Sequence, residues 1–141
     1  MNMMFLQPVV ALLLWTMVMW FWMYATRIPA MTAAKLDIGN LKGGVGANLD
    51  AILPAEVQWK AHNYNHLLEL PPLFYVVCIV LALTGANSGA SLNIAWAYVI
   101  LRVIHSLVQA IGNQVKYRFL LFALSSLCLF ALFFYAAAAV F

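Results

Sequence analysis

The sequence predicts an all-α integral membrane protein, a bundle of four spanning helices with little mass outside the bilayer. Three observations predict it. Of the 141 residues, 67% are hydrophobic and 8% charged, whereas a soluble domain needs about 25% charged residues to coat its surface. The apolar residues fall into four runs, each near the about 20 residues that cross a bilayer. The cations avoid those runs: of the 7 Lys and Arg, Arg102 alone lies well inside one. The same balance excludes a disordered chain, and scattered basic residues make no nucleic-acid surface.

The first span is expected from Pro8 to Tyr24, with Trp15, Trp20, Trp22 and Tyr24 as an interfacial aromatic belt. It lacks a basic leader, and Met23-Tyr24-Ala25 is a poor cleavage site, so it is expected to stay attached. A polar loop follows over residues 25–61. Its Gly39, Gly43, Gly44 and Gly46 beside Lys42 are not a phosphate loop, because no Gly-Lys-Ser/Thr follows and no strand precedes. Pro54-Ala55-Glu56 reads as a helix start, with proline in the first turn and an acid near the positive end. That helix is expected to run on through the second span, Leu67 to Leu83. At about 30 residues it would be about 45 Å long, so its first turns project beyond the bilayer. Pro71 and Pro72 should bend it around Leu67 and Leu68. The third span is expected over Leu92 to Ile111 and the fourth over Phe119 to Phe141, the whole chain 1–141 forming one transmembrane domain. Cys78 and Cys128 fall inside spans and read as small buried hydrophobes, with neither a disulfide framework nor a metal motif.

The loop charges are unequal. Arg27, Lys35, Lys42 and Lys60 lie in the first loop, and Lys116 and Arg118 in the third. The second, Thr84 to Ser91, carries no cation, nor does either tail. By the positive-inside rule, loops one and three face the cytoplasm and both termini the opposite side.

Polar residues inside the apolar helices are the informative ones. With about 100° between successive residues, Gln58, His62, Asn65, His66 and Glu69 share one face of the second helix. On the third, Tyr98, Arg102, His105, Gln109, Asn113 and Lys116 recur in helical phase, with Ser106 beside them. A charge at the centre of a span costs about 2.5–3.5 kcal/mol. Arg102 and Glu69 are therefore expected to face protein or trapped water, each as the other's partner. Together the stripes predict a cleft in the cytoplasmic half of the bundle. Structural glue between helices is the competing reading of the Glu69–Arg102 pair. The excess of cations points to an anionic or carboxylate-bearing ligand. The first and fourth helices carry no comparable stripe and read as lipid-facing walls.

The segment Asn65-His66-Leu67-Leu68-Glu69-Leu70-Pro71-Pro72-Leu73-Phe74, after Lys60-Ala61-His62, resembles the signature of the MAPEG superfamily, membrane-associated proteins in eicosanoid and glutathione metabolism. Ala95-Trp96-Ala97-Tyr98 through Leu107 is similar to its third helix, and four spans with the long loop first match over essentially the whole chain. The resemblance is to a bacterial branch and implies an inner-membrane location. It further implies a homotrimer of four-span protomers with glutathione as cosubstrate between neighbouring protomers, and no metal. Carried over by position, Arg27 matches the basic residue ending the first helix and Lys60 the motif arginine. Asn65 and Glu69 match the motif Asn and Glu, one residue further apart than usual. Counting strictly back from Glu69 instead puts His66 and His62 at the Asn and Arg positions. His105 and Gln109 fall where the synthases place tyrosines, and Lys116 or Arg118 where they place the thiol-activating arginine. The substrate-binding set so implied is Arg27, Lys60, His62, Asn65, His66, Glu69, Arg102, His105 and Gln109. The catalytic candidates are Lys116 and Arg118.

Two functions follow from the resemblance: a glutathione-type thiol transferase or peroxidase acting on lipophilic substrates, or a non-catalytic lipid-binding protein or accessory subunit of a larger membrane complex. A channel is disfavoured, because the polar stripe fades above Tyr98 and a through-route needs polar residues there.

Overall fold

The computed structural model describes residues 1–87 and 89–141; Ser88, in the uncharged second loop, lies outside them. Among the described residues five α-helices occur in chain order: α1 (Leu6–Ala33), α2 (Ala55–Leu67), α3 (Pro71–Leu83), α4 (Ala90–Ile111) and α5 (Val115–Val140). Strands are absent among the described residues. They compose four segments long and apolar enough to cross a membrane: Met3–Ala33, Ala55–Leu83, Ala90–Ile111 and Val115–Val140.

Helix α1 continues past the aromatic cluster at Tyr24 to Ala33 and accommodates Pro29. It stops where Lys35 turns left-handed, at φ 55°. There the Leu36 N–H donates to Met31 O at 3.2 Å and the Lys35 N–H to Thr32 O at 3.0 Å, satisfying carbonyls that a helix end leaves free. The first connection is thus residues 34–54, shorter than the polar composition of 25–61 suggests. A short 3-10 turn, Gly46–Ala51, orders its last part. Pro54 then precedes α2 as its N-cap, with Glu56 in the first turn.

The two prolines break the second span outright. Helix α2 closes with the Leu68 N–H on Asn65 O at 3.0 Å, and α3 begins at Pro71. Proline lacks the N–H that would continue the ladder, and its ring crowds the preceding turn. Helix α4 ends where Asn113 takes a left-handed conformation, φ 49°, with its N–H on Val108 O at 2.6 Å. Asparagine tolerates that conformation better than most residues. The polar stripe expected to run on through Asn113 to Lys116 is therefore cut at Ile111, and Lys116 belongs to α5.

Helix α4 is the hub, packing against α1, α2 and α5. Its buried face combines Leu92, Ala95 and Val99 with Tyr98, Arg102, His105, Ser106 and Gln109. Phe5 from the N-terminal 3-10 turn Met3–Phe5, Leu12 and Met19 from α1, Phe74 and Leu81 from α3, and Leu132 from α5 fill the apolar core, all fully buried. Cys78 is buried within it, Cys128 is half-buried, and both are free thiols. Outward, α1 shows Val10, Leu14 and Phe21, and α5 shows Phe119, Leu127 and Phe134, as surfaces solvated by lipid require. The N-terminus is tied across the far end of the bundle: the Asn2 N–H donates to Ala82 O at 2.7 Å and Asn2 Nδ2 to Ala86 O at 3.1 Å.

Lipid tails are as apolar as the core, so close packing carries most of the association between spans. The Phe74 ring stacks on Tyr98 with centroids 4.3 Å apart, joining α3 to α4. Phe74→Ala is expected to lower stability by about 3 kcal/mol or more, as loss of a large buried ring does. Reversible unfolding in mixed micelles measures it, and a near-neutral variant would remove the stack as a packing centre.

Candidate functional site

Three groups of polar residues lie along the polar half of the bundle, each fixed by a different pair of elements. The innermost joins α2 to α4. Asn63 Nδ2 donates to Ser106 Oγ. One turn further, Arg102 Nη2 lies 2.7 Å from His66 Nδ1. Arginine only donates, so His66 accepts through a bare Nδ1 and carries its ring proton on Nε2. The His66 ring also stacks on His105, with centroids 4.9 Å apart. Arg102 is fully buried, and its Nε and Nη1 have no protein partner; nor do His105 Nδ1 and Gln109 Oε1.

The second group ties the first loop to the helices. Arg27 Nη2 donates to Gln58 Oε1 at 3.1 Å. Gln58 Nε2 donates to Asp50 Oδ1 at 2.5 Å and to Gly46 O at 3.3 Å. His62 Nε2 closes the clasp at 2.9 Å from the same Asp50 oxygen. A Cβ on Gly46 would sit 3.2 Å from the Arg27 guanidinium, so the close approach of loop to α1 favours glycine there. Lys60 Nζ donates to Glu56 O at 2.8 Å and lies 5.6 Å from the centre of the Trp22 ring. It belongs to the surface of this layer.

The third group is made by α5. Arg118 Nη1 donates to Asn113 Oδ1, which turns the side chain back over the α4–α5 connection. There it lines a recess of about 220 Å³ with His66, His105, Val115, Phe119 and Phe122. Phe122 also walls a second cavity, an apolar groove of about 670 Å³ between α3 and α5. Its ring lies 5.9 Å from that of His66.

The expected residues thus separate. His66, Arg102, His105 and Gln109 share the buried face of α4 or pack on it, and Arg118 joins the histidines at the recess. Arg27 is engaged by Gln58 of α2, and His62 by Asp50 of the first loop. Asn65, Glu69 and Lys116 are exposed on the protomer surface. The expected Glu69–Arg102 partnership is replaced: Arg102 bonds His66, and the sole ion pair among the described residues is His62–Asp50. The reason lies in the break at 68–70, which sets Glu69 at the end of α2 and outside its inward face.

Asn63, Gln58 and Asp50 are the contributors that the motif did not single out as ligand-binding. Asn63 precedes His66 by three positions and Leu67 by four, the spacing of one helix face, and that periodicity could have flagged it over Asn65. Nothing local marks Asp50, whose role depends on how the loop folds back.

Each arginine is held by a neutral acceptor: Arg27 by Gln58, Arg102 by His66 and Arg118 by Asn113. A neutral acceptor orients a guanidinium without cancelling its charge; of the three, Arg118 lines the recess and Arg102 is fully buried.

Four apolar spanning helices around a fully buried arginine define an integral membrane protein with a polar site inside its bundle. The chain belongs to the MAPEG family, whose pattern matches residues 5–138, nearly its whole length. No curated protein and no solved structure matches it.

The loop clasp is pH-sensitive. The Gln58 amide, then His62, holds the Asp50 carboxyl below its ordinary pKa of 3.8. A depressed carboxylate pKa makes the contact fully present above the ordinary value and lost as pH falls through the depressed one. Hydrogen-exchange protection over residues 34–54, taken relative to the intrinsic amide rate at each pH, should therefore fall as the pH drops through that acidic range. Asp50→Asn should show lower protection at neutral pH and lose the acid step; a step that persists in the variant would assign it to another group.

Proposed function

We propose that this protein is a glutathione-type thiol transferase or peroxidase for lipophilic substrates, embedded in a bacterial inner membrane. The supporting observation is the adjacency of two unlike cavities. A recess lined by Arg118, His66 and His105 shares Phe122 with an apolar groove more than twice its volume, between helices that face lipid. A hydrophilic thiol and a lipid-borne electrophile need such a junction, because each comes from a different solvent.

In this reading the loop-bearing end of the bundle is cytoplasmic, as the positive-inside rule expects, and the working unit is a homotrimer. Asn65 and Glu69 lie exposed on the protomer, where they are available to a ligand held against a neighbouring copy. Glutathione carries carboxylates, which suit cations that have no acid partner, namely Arg27, Arg102 and Arg118. Lys60, His62 and Gln109 complete the binding set around them.

Arg118 is the thiol-activating residue of this proposal, and Lys116, exposed on α5, is released from that role. A guanidinium beside the sulfur favours thiolate over thiol, and the thiolate is the nucleophile. With an aryl halide the sulfur bonds the ring carbon, the carbon–halogen bond breaks, halide leaves, and the thiol proton passes to solvent. With a lipid hydroperoxide two thiols are oxidised to a disulfide while the peroxide is reduced to alcohol and water. His66 and His105 position the recess wall through their stack and through Arg102.

The greater size of the apolar groove favours the second reading, a non-catalytic lipid-binding protein or accessory subunit. One assay separates them. Detergent-purified protein should conjugate glutathione to chlorodinitrobenzene. Arg118→Ala should lower kcat/KM by about a hundredfold at neutral pH, the loss shrinking as pH rises past about 8.5, where free thiol ionises unaided. Arg118→Lys should recover part of it, and Lys116→Ala should change it by less than about twofold, as expected of an exposed charge. Wild-type turnover no greater than that of Arg118→Ala, with lipid retained stoichiometrically, would assign the binding reading instead.

A further inference from the structure

The turn from α4 to α5 sets its residues against their ordinary preferences. Gly112 and Asn113 stand side by side, yet the left-handed conformation, φ 49°, falls on Asn113, while Gly112 keeps a φ of −104° open to any residue. Left-handed backbone suits glycine first and asparagine second. Crowding does not demand the glycine at 112 either, since a Cβ there would meet only Val108 O, at 4.0 Å. A helix stop alone is served best by glycine at 113. What asparagine adds at that position is a side chain, and the side chain is in use: its Oδ1 accepts from Arg118 Nη1.

Arg118 depends on that acceptor. It lies in the first turn of α5, the positive end of the helix, where free backbone N–H groups repel a cation. That turn contains no acid, and Gln114 supplies no side-chain cap. Among the described residues Asn113 Oδ1 is the one protein acceptor that the guanidinium meets. A long side chain repelled at its base and otherwise unpartnered gains rotamer freedom by extending away from the protein. Bonded to Asn113 it instead lines the recess with His66 and His105. The amide oxygen is neutral, so it holds the guanidinium without cancelling its charge. Aspartate, which tolerates the same backbone, would hold it and cancel the charge.

We propose that Asn113 is a positioning residue: it keeps Arg118 over the recess as an uncancelled cation, and so makes the recess select an anionic group over a neutral one of similar size. Asn113 itself does not line the recess and acts through Arg118. The inference rests on the preceding reading for the identity of the selected group, the glutathione sulfur as thiolate.

The test is equilibrium binding of two unreactive glutathione analogues to the full-length protein in detergent. Glutathione sulfonate carries a permanent anion at the sulfur, and S-methylglutathione is neutral there. Wild type should prefer the sulfonate by about tenfold, the worth of one charge-assisted hydrogen bond. Asn113→Gly keeps the left-handed turn and removes the acceptor. It should unfold with wild type and bind S-methylglutathione unchanged, and its preference should fall to about twofold or less, as for a solvated charge. Arg118→Ala should match it, and Asn113→Asp should lose the preference too, by charge. A merely structural role would weaken both analogues alike, which would overturn the proposal, as would a preference that survives Asn113→Gly; either leaves the enzymatic reading standing. No preference in wild type, or no binding of either analogue, would overturn the proposal together with the placing of Arg118 at the sulfur. An Asn113-dependent preference in a protein that conjugates nothing supports the positioning role and removes the enzymatic reading alone.

Discussion

A permanent positive charge in the middle of a membrane span is the constraint around which this bundle is arranged. Arg102 cannot face lipid without a cost of about 2.5–3.5 kcal/mol, and α4 accordingly turns that face inward until the side chain is fully buried. Burial alone would leave the guanidinium without acceptors. His66 supplies one, and by doing so it fixes the register of α2 against α4. Asn63 and Ser106 repeat the same pairing of helices one turn away. Two polar contacts in a medium without water set the relative height and rotation of two helices more sharply than apolar packing, which tolerates sliding.

The remaining polar structure grows outward from that pairing. His66, anchored by Arg102, offers its ring face to His105 and its edge region to Phe122. The recess that Arg118 completes is thus walled by residues whose positions descend from the buried arginine. Further out, the first loop is drawn onto α1 and α2 by the Arg27–Gln58–Asp50–His62 clasp. The arginines are oriented by an amide or an imidazole and not by a carboxylate, which keeps positive potential in the site. Membership of the MAPEG family gives that potential a context in glutathione and eicosanoid metabolism.

Much of the fold was legible because membrane insertion is a strong filter on sequence. Four apolar runs, the helix start at Pro54, a distortion at Pro71 (expected as a bend, found as a break) and the stripe from Tyr98 to Gln109 all follow from local rules of hydrogen bonding and periodicity. The end of α1 was less legible. The first span is expected to end at Tyr24 with Arg27 in the loop, yet the helix continues to Ala33, and Arg27, within it, donates to Gln58 across the bundle. The end of α4 rested on Asn113 taking a left-handed conformation, which cut the periodic stripe before Lys116.

Sequence by itself determined the four-span all-helical class, the family, and which helix would carry the buried charge, since hydropathy and helical phase are properties of a chain read residue by residue. Tertiary structure decided the partners. It gave Arg102 to His66 and left Glu69 at the surface, and it folded Arg118 back into the recess while Lys116 stayed outside. Those choices depend on the rotation of one helix about its axis relative to another. Only the packing of all of them together fixes that rotation.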